Sequence, residues 1–536
     1  MQKPVALPPL IVSIALLALQ PSPLEAVPLG DRVVRLFTFA TGLADDVDGI
    51  DQLTAIDMTP LGDGRQLVLT LGGLVRLIVD GTVAPGAYLD VNDPMPPVFH
   101  PAELGPVSIA AHPGFLNPGS PGFGKFYTIT QSNVGTGTAD FGPGISGGTH
   151  HQDVVTEYTV SEPLNTPLTS FIGTKREVLR ADRPSQYHTV LDLAFDNEHY
   201  LYIASGDGGF GAAPAQAQIN TNILGTILRI DPLDPSLTDP SRGATGGKND
   251  QYRIHPNNFG VTDGDPTTHE EIFSFGHRSP YRLNADRQTG EMWLGEVGLS
   301  SREEVSRPVN GGNFGWPQVE GTLGTAPAGA VPPTFELFRN ESTNVVGGFV
   351  YRGSALPGLH GLYIFGDLAE NNSGQPLFYG DPSTDSTSSQ DDFFEFQIHP
   401  DGEPLPERIY SIAEDENGEL YILGGPDRIN FNNGTDSVIL KLVPGTRFYR
   451  GDCNGDNAVD LSDAVFNLSF QFSGGPPPDC REACEVNEDQ SLDLSDAIHL
   501  LSFVFLGGPP PEEPFPDCGA DPQADSTLSC AASGCE

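Results

Sequence analysis

A unit made of an apolar run, a turn rich in Asp, Gly or Pro, and a second run of the type x-Leu-Tyr-Ile recurs six times in this chain. It reads LTAIDMTPLGDGRQLVLT from Leu53, VSIAAHPGF with KFYTIT from Val107, and TVLDLAFDNEHYLYIASGD from Thr189. It returns as PYRLNADRQTGEMWLGE from Pro280, GGFVYRGSALPGLHGLYIFGD from Gly347 and IYSIAEDENGELYILGG from Ile409. Corresponding positions Leu67, Phe126, Leu201, Met292, Leu362 and Leu420 lie 59, 75, 91, 70 and 58 residues apart. Those spacings are too wide for a solenoid turn and suit a four-stranded sheet with its loops. One small sheet cannot bury both faces alone, so six of them pack around an axis, which is a six-bladed β-propeller. The run VVRLFTF, Val33 to Phe39, is expected to pair with the last blade and close the ring. A pair of β-sandwiches is the alternative. Composition fits an all-β body: 63 glycines and 49 prolines supply turns, and helical periodicity is nearly absent before residue 450.

The two ends of the chain read differently. MQKPVALPPLIVSIALLALQPSPLEA carries one cation, Lys3, ahead of an apolar run from Leu10 to Leu19 and a small-residue cleavage site. Residues 1–26 are therefore expected to be a secretory signal peptide, which makes the mature chain secreted, periplasmic or cell-surface, with no membrane span once it is removed. A membrane anchor needs roughly 18 apolar residues or more. Residues 27–446 then form the propeller and 450–536 a separate module. The excess of 71 acidic over 27 basic residues, a net charge of -44, argues against nucleic acid and anionic lipid as partners. All six cysteines fall between Cys453 and Cys535, which suggests local disulfides whose pairing the sequence leaves open.

That module carries its own repeat. GDCNGDNAVDLSDAVFNLSFQFSGGPPP, from Gly451, returns 33 residues later as CEVNEDQSLDLSDAIHLLSFVFLGGPPP, with 16 of 28 positions identical. Each copy runs from a polar loop into an amphipathic helix that ends at Gly-Gly-Pro. Asp452, Asn454, Asp456, Asp460 and Asp463 stand at loop positions 1, 3, 5, 9 and 12, with the carbonyl of Ala458 at position 7. Such offsets supply the oxygen ligands of Ca²⁺. The second copy offers Glu485, Asn487, Asp489, Asp493 and Asp496 with the Ser491 carbonyl. The pattern resembles duplicated dockerin type I modules, which implies Ca²⁺-dependent folding and docking to a cohesin-like or cell-surface protein. The cysteines depart from that pattern and favour a disulfide-stapled structural tail.

In a propeller, polar loops at the mouth of the channel carry function. His188 enters the first strand of unit three and Asp207 follows its second, so a hairpin brings them to one rim. An imidazole beside a carboxylate is a general base. The plain alternative is that His188 ends a strand and Asp207 fills a turn. His150 and His151, adjacent on the chain, are expected in a surface loop and as poor chelators. Trp293 and Trp316 are expected to pack between blades.

Unit four, EIFSFGHRSPYRLNADRQTGEMWLGEVGLSSREEVSRPVNGGNFGWPQVEG, resembles the central signature of the soluble aldose sugar dehydrogenases, the glucose/sorbosone dehydrogenase family, and their hedgehog-interacting-protein-like relatives. GPVSIAAHPGF, LYIASGDGG with ILRIDP, and GGFVYRGS with GLYIFGD look like other motifs of that family, in its order. The resemblance implies a propeller that holds pyrroloquinoline quinone (PQQ) with Ca²⁺ and oxidises a sugar or related alcohol. In that scheme His188 matches the proton-removing histidine, Asp207 its supporting carboxylate and Arg278 the arginine over the quinone. Gly298 and Leu299 match the carbonyls that hold the cofactor's calcium. Glu103 falls near the substrate and cofactor, and Arg408 matches an arginine that grips the cofactor's carboxylates. Ser279 stands where asparagine is common, FGDLAENNSG lacks the usual lysine, and Tyr410 replaces a second arginine. A non-catalytic propeller binding carbohydrate or protein, and another chemistry such as hydrolysis, stay open.

Overall fold

The computed structural model describes residues 29–530 except 44–54, 92–106, 144–147, 166–168, 210–213, 237–244, 340–343, 369–376, 384–392, 399–402, 407, 426–436, 444–446, 490, 521–527 and 529. The expected signal peptide, Glu103 and most of the fifth-blade loop lie outside the described residues.

Each of the six recurrent units is the inner hairpin of a blade. The hairpins pair Ala55–Pro60 with Arg65–Thr70, Ser108–Ala111 with Lys125–Ser132, and Val190–Phe195 with Leu201–Ser205. Pro280–Ala285 pairs with Met292–Glu296, Val345–Val350 with Tyr363–Asp367, and Arg408–Glu414 with Leu420–Gly425. Further strands extend each hairpin outward, for example Thr226–Asp231 and Ile272–Phe275 in the third blade. The first strands touch in a closed cycle, each against the next and the sixth against the first. The chain is mostly β, a six-bladed β-propeller.

The ring closes through Leu29–Ala40. Its second half runs antiparallel to Val438–Val443 of the last blade, Arg35 opposite Val443, and its first half runs parallel to Phe393–Ile398 of the fifth. Val34 and Leu36 are buried among Ile364, Leu420 and Leu442.

Inner strands are also stitched by side chains. Asp57 accepts from the Ile109 N–H at 2.8 Å, Ser108 from Leu193 at 3.2 Å, and Asp192 from Leu283 at 2.7 Å. These contacts satisfy main-chain groups that no strand partner reaches. Arg282 lies on the axis, donating to Asp192 and to the Ile56 and Val107 carbonyls. Beyond it, a cavity of about 510 Å³ opens between the C-terminal halves of the inner strands, past Asp192, Asp196, Arg287 and Glu414.

Helices follow the propeller. Leu461–Ser473 and Leu494–Leu506 pack together, each started by a capping box, Asp460 with Asp463 and Asp493 with Asp496, and each ended by a left-handed glycine, Gly474 and Gly507. Reciprocal capping satisfies first-turn N–H groups, and glycine takes the left-handed cap without a Cβ clash. Disulfides join Cys453 to Cys484 and Cys480 to Cys530. No described helix is long and apolar enough to cross a membrane.

Candidate active site

The third blade's hairpin fixes two side chains at its open end. Val190 pairs with Ser205, so the residues before one and after the other, His188 and Asp207, meet there. His188 Nδ1 lies 2.6 Å from Asp207 Oδ1, both side chains nearly enclosed. The backbone of His188 has φ 48°, in the left-handed region, where histidine is among the better tolerated non-glycine residues. Its carbonyl is held by the Arg183 guanidinium at 2.6 Å and the Gly208 N–H at 3.3 Å.

Asp207 is saturated with donors. Gly209 N–H reaches Oδ1 at 2.8 Å and the Trp316 indole N–H reaches Oδ2 at 2.8 Å. Burial pushes the carboxyl's pKa up, but the hydrogen bonds from His188, Gly209 and Trp316 outweigh it and leave the group below the ordinary carboxylate range. An ionised Asp207 then fixes the imidazole with its proton on Nδ1, so proton uptake falls to Nε2.

The fourth blade delivers Arg278 beside this pair. Its carbonyl accepts from the Asp207 N–H at 2.8 Å, and its guanidinium stands 5.6 Å from the Trp316 ring centroid. Glu296 anchors the Arg278 N–H at 2.5 Å and, through its other oxygen, His277 at 2.8 Å; the His277 ring stacks on Phe314. Arg278 Nη1 donates to the carbonyls of Val297 at 2.9 Å and Gly298 at 2.6 Å. Leu299 follows, half-exposed, with its N–H on Glu320. Arg408 begins the first strand of the sixth blade, is buried, and donates to the Leu368 carbonyl at 3.1 Å. Tyr410 is fully buried.

The structure thus brings His188, Asp207, Arg278 and Gly298 into one bonded chain and sets Arg408 at the same end of its own blade. Two expectations need correction. His151 is buried at the start of the strand His151–Val160, not in a surface loop; its Nε2 lies 3.0 Å from Asp153 and its Nδ1 3.2 Å from that of His150. Asp153 accepts from the Val190 N–H at 2.8 Å and lies 3.3 Å from Arg183, so this group braces the His188 turn. Trp316 is a part of the site, whereas Trp293 packs on Tyr363 in the core as expected. No sequence signal marks Trp316, since its contact with Asp207 spans 109 residues.

In the tail, the Asp452 carboxylate accepts the N–H groups of Gly455, Asp456 and Asn457 at 2.8–3.0 Å, so the loop curls around its first position. Asp463 reaches back to the Asn454 and Asp460 N–H groups; Asp456, Ala458 and Asp460 are exposed, and the half-buried Asn454 donates to Asp456 and Ser462. In the second copy, Asp496 holds the Val486 and Asp493 N–H groups, and Asn487, Asp489, Ser491 and Asp493 line the loop. There, however, the fully buried Arg450 donates to Glu485 at 3.1 Å. Among the described residues no group of three or more His, Cys, Asp or Glu side chains is gathered as a metal cage.

The sequence profile of the Glucose / Sorbosone dehydrogenase family matches residues 54–428. The chain belongs to this family. The HIPL2 protein of Arabidopsis thaliana is 30 % identical over 307 residues, 51 % of this chain and 43 % of that protein. The HIPL1 protein of the same plant is 27 % identical over 458 residues, 73 % of this chain and 64 % of that one. The chain therefore spans less than two thirds of either plant relative. The PQQ-bound form of aldose sugar dehydrogenase from Streptomyces coelicolor superposes with a TM-score of 0.52 at 19 % identity, over 76 % of this chain and 97 % of that one. That likeness speaks for the fold.

Proposed function

We propose that this chain is an exported quinoprotein-type oxidoreductase that oxidises a sugar or related alcohol at the mouth of its propeller. The observation that carries the reading is the 2.6 Å His188–Asp207 pair, held by Trp316 and joined through the main chain to Arg278, in a member of this family. His188 accepts the substrate's hydroxyl proton at Nε2. Asp207 stabilises the imidazolium that results, and Arg278 places a fixed cation where oxyanion charge develops.

The donor set suits an anionic quinone in its chemistry: a candidate general base, an arginine beside an indole, and a second buried arginine at the same end of its own blade. Arg278 and Arg408 would hold PQQ by charge-assisted hydrogen bonds; Glu103, on the resemblance alone, is proposed near the substrate and cofactor. When bound, the quinone supplies the acceptor for the hydride of the carbinol carbon. A calcium ion on the Gly298 and Leu299 carbonyls fits less well, because the Gly298 oxygen already accepts from Arg278.

Residues 27–446 and 450–536 are proposed as separate units behind a cleaved leader of residues 1–26. In the tail, Ca²⁺ is proposed at Asp452, Asn454, Asp456, Ala458, Asp460 and Asp463, and at Glu485, Asn487, Asp489, Ser491, Asp493 and Asp496. The first loop is expected to bind more tightly, since Glu485 is shared with Arg450. A dockerin-like role, with a cohesin-like or cell-surface partner, follows from the resemblance alone.

The test is calorimetric titration of the full chain with PQQ, followed by dye reduction over a panel of sugars. Quinone binding with sugar-dependent dye reduction supports the reading, and His188→Ala should then keep the quinone and lose turnover. Absence of quinone binding would sink it and favour a propeller that binds carbohydrate or protein without catalysis.

A further inference from the structure

The turn after the strand Met292–Glu296 is preformed. One oxygen of Glu320 gathers four successive N–H groups, those of Leu299, Ser300, Ser301 and Arg302, at 2.7–3.2 Å. A Cβ at Gly298 would stand 1.6 Å from the Arg302 carbonyl oxygen, so only glycine fits the bend. The Gly298 carbonyl is thereby fixed in place, and two guanidinium groups meet it: Arg278 at 2.6 Å and Arg339 at 3.3 Å. A carbonyl oxygen has two lone pairs, and here both have a cationic donor. Arg339 is itself held by an ion pair with Glu303, whose side chain is fully buried. The other Glu303 oxygen accepts from the Gly298 and Val345 N–H groups, at 3.3 and 3.2 Å.

Ca²⁺ takes six to eight oxygen ligands at about 2.3–2.6 Å. An ion on the Gly298 oxygen would sit against two guanidinium groups and be repelled by both. Glu303, the nearest buried carboxylate, is already engaged by Arg339.

We infer that Arg278 and Arg339 stand in for a divalent cation at the Gly298 carbonyl, so that this rim draws its fixed positive charge from arginine and takes an anionic ligand without calcium. The ligand's identity rests on the dehydrogenase reading; the exclusion of the cation does not.

Terbium, a luminescent substitute for Ca²⁺, separates the two. The chain has two tryptophans, and Trp316 lies beside Arg278, while residues 450–536 contain none. Terbium emission excited through tryptophan therefore reports the propeller and not the C-terminal loops. The full-length protein should show no saturable, Ca²⁺-displaceable emission. The Arg278→Ala/Arg339→Ala variant, checked for an intact melting transition, should gain it. Displaceable emission from the unaltered protein would overturn the inference, as would a folded double variant that stays dark. Should that variant fail to fold, the unaltered protein decides alone, dark in favour and emissive against. In a parallel titration, PQQ should bind with the same affinity in Ca²⁺ and in chelator, and a requirement for Ca²⁺ would count against the inference. If PQQ binds under neither condition, the dehydrogenase reading fails while the terbium result stands.

Discussion

At the scale of single side chains, Asp207 holds the His188 imidazole and Trp316 holds Asp207, and substitutions there separate the proposed base from folding. Asp207→Asn keeps the shape but removes the charge that orients the imidazole, so turnover should fall about 10²- to 10⁴-fold in the dye assay. It should also alter the acid limb of stability. The folded Asp207 titrates below its unfolded value, so its contribution is present above about pH 4 and lost as pH falls through the lowered value. The asparagine variant should lack that loss when melting temperature is followed against pH. His188→Asn leaves the backbone unstrained, since asparagine accepts positive φ readily, so the loss is that of the buried hydrogen bond to Asp207: stability should fall by about 1.5–3 kcal/mol while activity disappears. His188 and Asp207 could be found from sequence because one hairpin joins them. Trp316 could not, since it meets Asp207 only once the third and fourth blades have come together, and the His151–Asp153–Arg183 brace reaches His188 through the Asp153–Val190 contact between the second and third; Glu296, across one hairpin from His277 and Arg278, was open to the same reasoning as Asp207.

At the scale of elements, the inner hairpins were readable because each sets two short, mostly apolar runs about an Asp-, Gly- or Pro-rich turn, and such runs are buried almost along their whole length between neighbouring blades. The outer strands were not readable, since long and variable loops precede them and their pairing is decided by neighbouring blades. Leu36 tests the closing strand. It is 1 % exposed between the fifth and sixth blades, so Leu36→Ala should cost about 2–5 kcal/mol in denaturant melts. In the tail, both helices depend on their capping aspartates. Asp460→Ala and Asp493→Ala should each lower its stability by ~1 kcal/mol, read from the helical circular dichroism transition.

For the molecule as a whole, two transitions are expected in calorimetry, one for the propeller and one for the stapled tail. A chelator should shift the tail's transition down and leave the propeller's in place. A common shift of both would contradict the division into separate units. The propeller should respond to pH through Glu414, at the far end of the channel from His188 and Arg408, whose carboxyl is pushed up to about 7 by burial, against the pull of Arg287. Unfolded, a glutamate titrates near ~4.3. Between those values the folded chain keeps a proton that the unfolded chain has released, so stability falls as pH rises through that window. Glu414→Gln should flatten the slope of melting temperature against pH there.

The closing strand also places a limit on when this protein can finish folding. Arg35 leaves the ribosome long before Val443, its strand partner. Five blades can therefore assemble during synthesis only as an open arc with an unsatisfied edge at each end. A nascent chain halted within the sixth blade should be cut readily by protease. One released past residue 443 should resist.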